Sequence, residues 1–322
     1  MVALSDVHAS NGRISTAIPE GLVAVFVGGT SGVGEYTLKA LVKHSPNLRA
    51  YIVGRSQESA DRILKECKEI APTTQIKFIQ ADVSLLNIVD DVCRQIQEKE
   101  TAINILVTSQ GTMAFSKTVA TPEGLSLRSC LALHSRMRFI LNLLPLLQKA
   151  TTLRRVVSVL IATCEGPIDT ENILGVDFPL RKWRDQVASE ETLLLEEAAR
   201  RAPDVSFIHT LPGVVRSGIT RDAEGLGMGI VIRISRLLGP LIETPPAECG
   251  ERHAFLATSA RGSDGEMGSG TYTVDVKGES SPLKVERILA TLRQDGTAQK
   301  VWDYIEGDFK RITGTTIASF DT

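Results

Sequence analysis

The residues with the clearest chemical meaning lie in loops that follow short apolar runs. Val27-Gly28-Gly29-Thr30-Ser31-Gly32-Val33-Gly34 follows the run at 22–27 (LVAVFV) and leads into a stretch with helical spacing. Glycines allow a tight turn and let backbone come close to a pyrophosphate. A helix opening there adds unpaired N–H groups and the positive end of its dipole. Gly28, Thr30, Ser31, Gly32, Val33 and Gly34 are therefore candidates for the phosphate side of a nucleotide site. Arg55 ends the second apolar run. A guanidinium there suits a 2′-phosphate on an adenosine ribose, whereas a carboxylate would suit a free 2′-hydroxyl. A solvated arginine is the plainer alternative. Asp82, in Asp82-Val83 after the third run, can accept from an adenine amino group or make an ordinary turn.

Such loops act together only if the chain brings them to one edge. Short runs at 22–27, 50–53, 75–80, 104–108, 155–160, 205–210 and 272–276 read as strands. Helical spacing lies between them: at 35–43, after a Ser56 cap, after a Ser84 cap, after Thr121-Pro122-Glu123, at 136–149 and at 190–201. Strands that alternate with helices predict βαβ units and a parallel sheet. Right-handed crossovers make it a doubly wound α/β fold with helices on both faces. Its ligands bind outside the carboxyl ends of the strands, so the loops above should converge. Residues 1–20 read as a polar arm, 21–217 as the nucleotide-binding unit, and 218–322 as a lid and C-terminal extension. The stripe Leu226, Ile230, Ile232, Ile234, Leu237, Leu238 suits a lid over a bulky apolar substrate or a dimer-packing helix. In the tail, Val301, Trp302, Ile305 and Phe309 suggest an amphipathic helix, and Tyr304 reads as packing.

The 322 residues carry 36 basic and 38 acidic side chains, a net charge of −2. That balance lacks the basic excess of a nucleic-acid surface. With aromatics at 5%, stacking platforms for single strands are unsupported too. Apolar residues at 43% rule out wholesale disorder. Five scattered cysteines without a CxxC give no zinc site and point to free thiols in the cytoplasm. No apolar leader opens the chain. The most apolar late stretch, 226–242, is broken by Arg233 and Arg236, so no membrane span is expected.

Gly28-xxx-Gly32-x-Gly34, Asp82-Val83 and Pro212-Gly213 in LPGVVRSGI together resemble the short-chain dehydrogenase/reductase family over about residues 20–220. Val27 stands at that family's usual Thr. Thr108-Ser109-Gln110-Gly111 replaces its Asn-Asn-Ala-Gly. The resemblance implies a Rossmann-type subunit, a homodimer or homotetramer, and a nicotinamide cofactor held over Gly111 and Pro212-Gly213. With Arg55, that cofactor is NADP(H). The texture is similar to divergent members from fungal natural-product pathways, which implies a hydrophobic secondary-metabolite intermediate as substrate.

The family's acid–base half is missing. It implies a Ser after the fifth strand and a Tyr-xxx-Lys before Pro212. The four tyrosines are Tyr36, Tyr51, Tyr272 and Tyr304, all outside that interval. The family's spacing puts the Ser at Ile161, the Tyr at Lys182-Trp183 and the Lys at Gln186 or Val187. A positioned general acid is worth roughly 10²–10⁴ in rate, so another donor is needed for carbonyl reduction. Thr163 orients a carbonyl or caps a turn. His134 has the best ordinary pKa for proton transfer, or is structural. Ser109 sits beside the nicotinamide side and reads more as a backbone partner than a nucleophile. Trp183 is pocket wall or core, and Glu165 reads as a solvated loop residue. The expected function is an NADP(H)-dependent oxidoreductase with a non-standard proton donor. The rivals are a non-redox isomerase, cyclase or dehydratase on the same fold, and an NADP(H)-binding partner protein without turnover.

Overall fold

The structure, a computed structural model, describes residues 2–18, 21–112, 119–218, 243–259 and 270–315. Seven strands form one parallel sheet: β1 (Val23–Val27), β2 (Arg49–Gly54), β3 (Gln75–Gln80), β4 (Ile105–Thr108), β5 (Arg155–Val159), β6 (Ser206–Thr210) and β7 (Gly270–Val274). Their order is β3-β2-β1-β4-β5-β6-β7, and every pairing is parallel. The order reverses between β1 and β4, which opens a crevice at the carboxyl edge there.

Strand periodicity sorts the core into two layers. Val25 and Val27 of β1 join one cluster, with Val89, Phe139, Leu194 and Trp302. Ala24 and Phe26 join the other, with Leu38, Ile63 and Ala254. The first layer holds α5 (Leu86–Gln97), α6 (Ser135–Gln148), α7 (Leu180–Arg201) and α10 (Thr297–Thr313). The second holds α3 (Gly32–His44), α4 (Gln57–Ile70) and α8 (Pro246–Thr258). α9 (Leu283–Gln294) packs beside α7 in a small cluster of its own. Both sheet faces are covered, as the alternation of elements predicts. The run Leu127–Gln148 is apolar and long enough to cross a membrane, but 83% of its most apolar window is buried inside this fold.

Several local expectations are corrected. The N-terminal arm is not a loose polar segment. It folds as α1 (Leu4–Asn11) and α2 (Ile14–Ala17), with Val7, Asn11 and Ile14 buried. Thr121-Pro122-Glu123 does not start a helix. It forms a turn with Gly124 at φ +80°, closed by a bridge between Ala120 and Ser126. Glu123 leaves that turn to cap α5, accepting from Leu86 N–H at 2.7 Å and Asn87 N–H at 3.2 Å. Ser84 is thereby displaced as the cap and donates to Asp82 Oδ1 instead, at 2.8 Å. Ser56 does cap α4, accepting from Ser59 N–H. α7 begins ten residues before the run at 190–201; polar Gln186 and Ser189 share its buried face there with Trp183, Val187 and Ala188. α10 buries Val301, Trp302, Ile305 and Phe309 as expected, whereas Tyr304 is 42% exposed and does not pack. The apolar stripe at 226–238 lies outside the described residues.

The arm is held by one carboxylate. Glu251 of α8 accepts from Asn11 Nδ2 at 2.7 Å, pairs with Lys43 at 2.9 Å and meets His44 Nε2 at 2.9 Å. Burial alone would raise its pKa. The bonds from Lys43, Asn11 and His44 outweigh burial and bring it down to about 2. A carboxylate depressed by folding contributes stability above its unfolded pKa and loses it as pH falls through the folded value. Glu251→Gln should therefore destabilise the protein at pH 7 by about 1–3 kcal/mol. Urea unfolding of both proteins checks this: the gap should shrink from pH 4.5 towards pH 2, and a gap that ignores pH would refute the assignment.

Candidate nucleotide and active site

The turn after β1 is built for close approach. Gly28 adopts φ +81°, and a Cβ there would lie 2.7 Å from Gln110 N. Gly32 adopts φ +62° beneath Ser217, and a Cβ on Gly34 would lie 2.6 Å from Ser109 Oγ. No side chain caps α3 at Ser31, so its first amides stay available. Such amides, with the helix dipole, form an anion site. Thr30 is pressed against the end of β2: a Cβ on Gly54 would lie 2.7 Å from its methyl. Arg55, the next residue, is exposed at that edge. Asp82 follows on the neighbouring strand, also exposed, with Oδ1 engaged by the N–H and hydroxyl of Ser84. Val83 is buried beside it. Thus Thr30, Arg55 and Asp82 succeed one another along the ends of β1, β2 and β3.

Across the crevice, Gly111 is exposed beyond β4. Pro212 and Gly213 follow β6. Gly213 adopts φ +76°, and a Cβ there would lie 2.8 Å from Val276. Tyr36 Oη donates to Arg216 O at 2.8 Å and ties this stretch back to α3. Ser217, which the sequence reading did not single out, is thereby brought over Gly32.

Two buried polar chains hold this edge in shape. Arg136 of α6 donates to Thr108 O at 2.6 Å, to Gln110 O at 2.5 Å and to Ser158 Oγ at 3.1 Å. Ser158 in turn donates to Glu191 of α7 at 2.5 Å. Burial pushes the Arg136 guanidinium down to about 10 and the Glu191 carboxyl up to about 7; each opposes the other's shift.

The second chain follows β5. The Ile161 N–H can only donate, so His209 Nε2, at 3.2 Å, must accept. The neutral ring then carries its proton on Nδ1 and gives it to Thr192 Oγ1 at 2.9 Å. The Thr192 hydroxyl donates onward to Glu165 Oε1 at 2.9 Å. Burial, and then the charge of Arg136, push His209 down to about 3, which keeps it neutral. Glu165 is 4% exposed rather than solvated, and burial raises its carboxyl despite bonds from Thr192 and the backbone of Thr163 and Glu165. This chain fixes the turn that carries Thr163 at φ +67°, a conformation uncommon for a β-branched residue.

The three expected proton-handling residues have different settings. Thr163 is half-buried at the carboxyl edge, and its hydroxyl makes no hydrogen bond among the described residues. Ser109 donates to Val27 O at 3.1 Å and reaches Gly28 O at 3.4 Å, so its hydroxyl braces the glycine turn. His134 is fully buried in a π-helical turn (Cys130–His134) and joins Asp308 of α10 at 2.9 Å, with its ring edge on Phe309. The structure brings Ser109 and Thr163 to the strand ends and commits His134 to the C-terminal helix. Of the positions where the family's spacing puts Ser, Tyr and Lys, Ile161 is half-buried after β5, and Lys182-Trp183 and Gln186-Val187 lie in the first turns of α7. Trp183 is buried under Arg128, whose guanidinium lies 4.3 Å from the ring centre. The polar chains were signalled in the sequence only as interruptions of apolar runs: Arg136, Ser158 and His209. Among the described residues no group of His, Cys, Asp and Glu suits a metal.

Residues 22–135 match the family model described as short chain dehydrogenase. Oxidoreductase AN1596 of Emericella nidulans is 34% identical over 331 residues, covering 95% of this chain and 97% of that protein. The short-chain dehydrogenase/reductase SAT2 of Stachybotrys chartarum is 30% identical over 329 residues, covering 89% and 92%. Among solved structures, the Pseudomonas aeruginosa RhlG/NADP active-site complex superposes with a TM-score of 0.57 at 18% identity, over 80% of this chain and 95% of that one. That last likeness speaks for the fold alone. The relatives matched along nearly their whole length carry it further: this chain belongs to the short-chain dehydrogenase/reductase family of oxidoreductases.

Proposed function

We propose that this chain is an NADP(H)-dependent oxidoreductase acting on a hydrophobic small molecule, a secondary-metabolite intermediate, in the cytoplasm and as a homodimer or homotetramer. The observation that carries the cofactor reading is the uncapped start of α3 behind Gly28, Gly32 and Gly34, with Arg55 beside Thr30 at the next strand end. A pyrophosphate fits the free amides of that helix, and a guanidinium at Arg55 fits a 2′-phosphate. Asp82 and Val83 would hold the adenine, and Gly111, Pro212 and Gly213 the nicotinamide side. A bound nicotinamide supplies the hydride chemistry. The chain's own part is to bind, orient and exclude water.

Thr163 is the residue that fits orientation of a substrate oxygen, since its hydroxyl is uncommitted and its turn is fixed from behind. Ser109 and His134 support the site through the glycine turn and through α10. Three exposed apolar side chains stand on loops that leave the carboxyl edge, Val119, Val176 and Val214, and Leu180 opens α7 beside them. They support a hydrophobic substrate. The five free thiols support a reducing compartment. A non-redox conversion on the same scaffold is the second reading, favoured by the spacing that puts Ile161, Lys182-Trp183 and Gln186 or Val187 where the family's acid–base residues are expected.

Nicotinamide fluorescence tests the cofactor. NADPH should bind at micromolar concentration and NADH much more weakly. Arg55→Ala should weaken NADPH by roughly 10–100-fold, the worth of a charge-assisted hydrogen bond, and leave NADH unchanged. Binding of neither nucleotide would end the oxidoreductase reading. For any carbonyl substrate that consumes NADPH, Thr163→Val should lower kcat by about 10²-fold, as losing one oxyanion donor does, with NADPH affinity kept. An unchanged kcat would remove Thr163 from the reaction. Conversion of a substrate with NADPH left intact would favour the non-redox reading.

A further inference from the structure

The loop between β5 and α7 lies across a surface that a substrate would need. Glu191 meets Ser158, the fourth of the five residues of β5, so the part of α7 before Glu191 stands beyond the carboxyl edge. Gln186, Ser189 and Glu190 lie there at helical spacing on one face, and all three are fully buried. Residues 166–178 bury them. Gly166 exchanges hydrogen bonds with Ser189, its N–H donating at 2.9 Å and its carbonyl accepting at 2.6 Å. The Asp169 N–H donates to Gln186 Oε1 at 3.0 Å, and Gln186 Nε2 donates to Asn172 O at 2.9 Å. The Leu174 N–H donates to Glu190 Oε1 at 2.9 Å.

The loop is not relaxed where it is held. Leu174 has φ +74° and Asp177 φ +67°, and both are non-glycine residues. Each such residue costs of order 1–3 kcal/mol and persists when its surroundings over-determine it. Among the described residues, Glu190 Oε2 and Trp183 Nε1 on this helix are buried without a partner. An unmatched acceptor and an unmatched donor on one helix mark a surface able to make more hydrogen bonds than the loop gives it.

We infer that residues 166–178 form a strap filling the substrate chamber, that Gln186 and Glu190 are its latch, and that a substrate bearing N–H or O–H donors enters by taking the places of the Asp169 and Leu174 amides. The chamber's place rests on the proposed oxidoreductase reading; the latch does not. Gln186 and Glu190 hold the strap while it is closed and accept the substrate's donors directly once those amides have left.

Hydrogen exchange of the full chain, read by mass spectrometry, tests the latch. Glu190→Ala should speed exchange of the 169–178 amides roughly tenfold or more, as loss of a buried acceptor does, while the strands keep their protection. Glu190→Gln keeps one acceptor oxygen and should stay near wild type. Unchanged exchange in Glu190→Ala, or equal loss of protection across the sheet, would overturn the latch. The opened chamber should also take up 8-anilinonaphthalene-1-sulfonate, an apolar probe with an N–H donor, in Glu190→Ala and not in Glu190→Gln. A fast-exchanging strap with no added uptake would overturn the chamber. NADPH binding, measured on the same proteins, separates the two ideas: its absence would sink the cofactor reading and leave the strap result standing.

Discussion

The carboxyl edge of this sheet depends on a guanidinium with no access to water. Arg136 reaches the last carbonyl of β4, the carbonyl of Gln110 two residues beyond it, and a serine of β5. Those acceptors lie on two neighbouring strands and the turn after one of them, at the carboxyl edge beside the reversal of strand order. Burying such a charge costs several kcal/mol, offset only where hydrogen bonds and an opposite charge are in place. Here Glu191 supplies the charge through Ser158. Removing either partner would leave an uncompensated ion in the core. The arrangement therefore adds less to stability than to the uniqueness of the strand-end geometry.

A second order of constraint is built on the first. The positive field of Arg136 and the lack of solvent keep His209 neutral, and only a neutral ring can accept from Ile161 while donating to Thr192. The β5 turn is thus pinned from behind by a chain whose proton positions are all determined. Thr163, with its unusual backbone angle, lies between Ile161, whose N–H is held by His209, and Glu165, whose carboxylate is held by Thr192. A site on a loop gains precision when the loop is tied to rigid elements, and here the ties run to β6 and α7.

Most of the fold was legible in the sequence because its period is the signal. The β1 and β4 runs are apolar on both faces, as central parallel strands must be, and the glycine turn sits where helix and strand meet. What was not legible depends on long-range partners. Glu123 caps a helix 36 residues upstream, so no local cap pattern reveals it. The first half of α7 looks solvated, because Gln186, Ser189 and Glu190 are hidden by a loop rather than by apolar neighbours. Glu165 reads as a surface residue until Thr192 and His209, 27 and 44 positions later, are brought beside it. The glycine turn of the candidate nucleotide site is readable as a contiguous motif. The substrate half is assembled from residues whose meaning is their company.

The C-terminal helix has a consequence for how copies of this chain can meet. α10 lays Val301, Trp302, Ile305 and Phe309 into the cluster formed with α5, α6 and α7, and His134 and Asp308 fasten it there. A helical face of that breadth and apolarity would otherwise be an adhesive surface. The chain covers it with its own C-terminal helix. A chain cut short before Thr297 would bare that face and exchange a private contact for a public one.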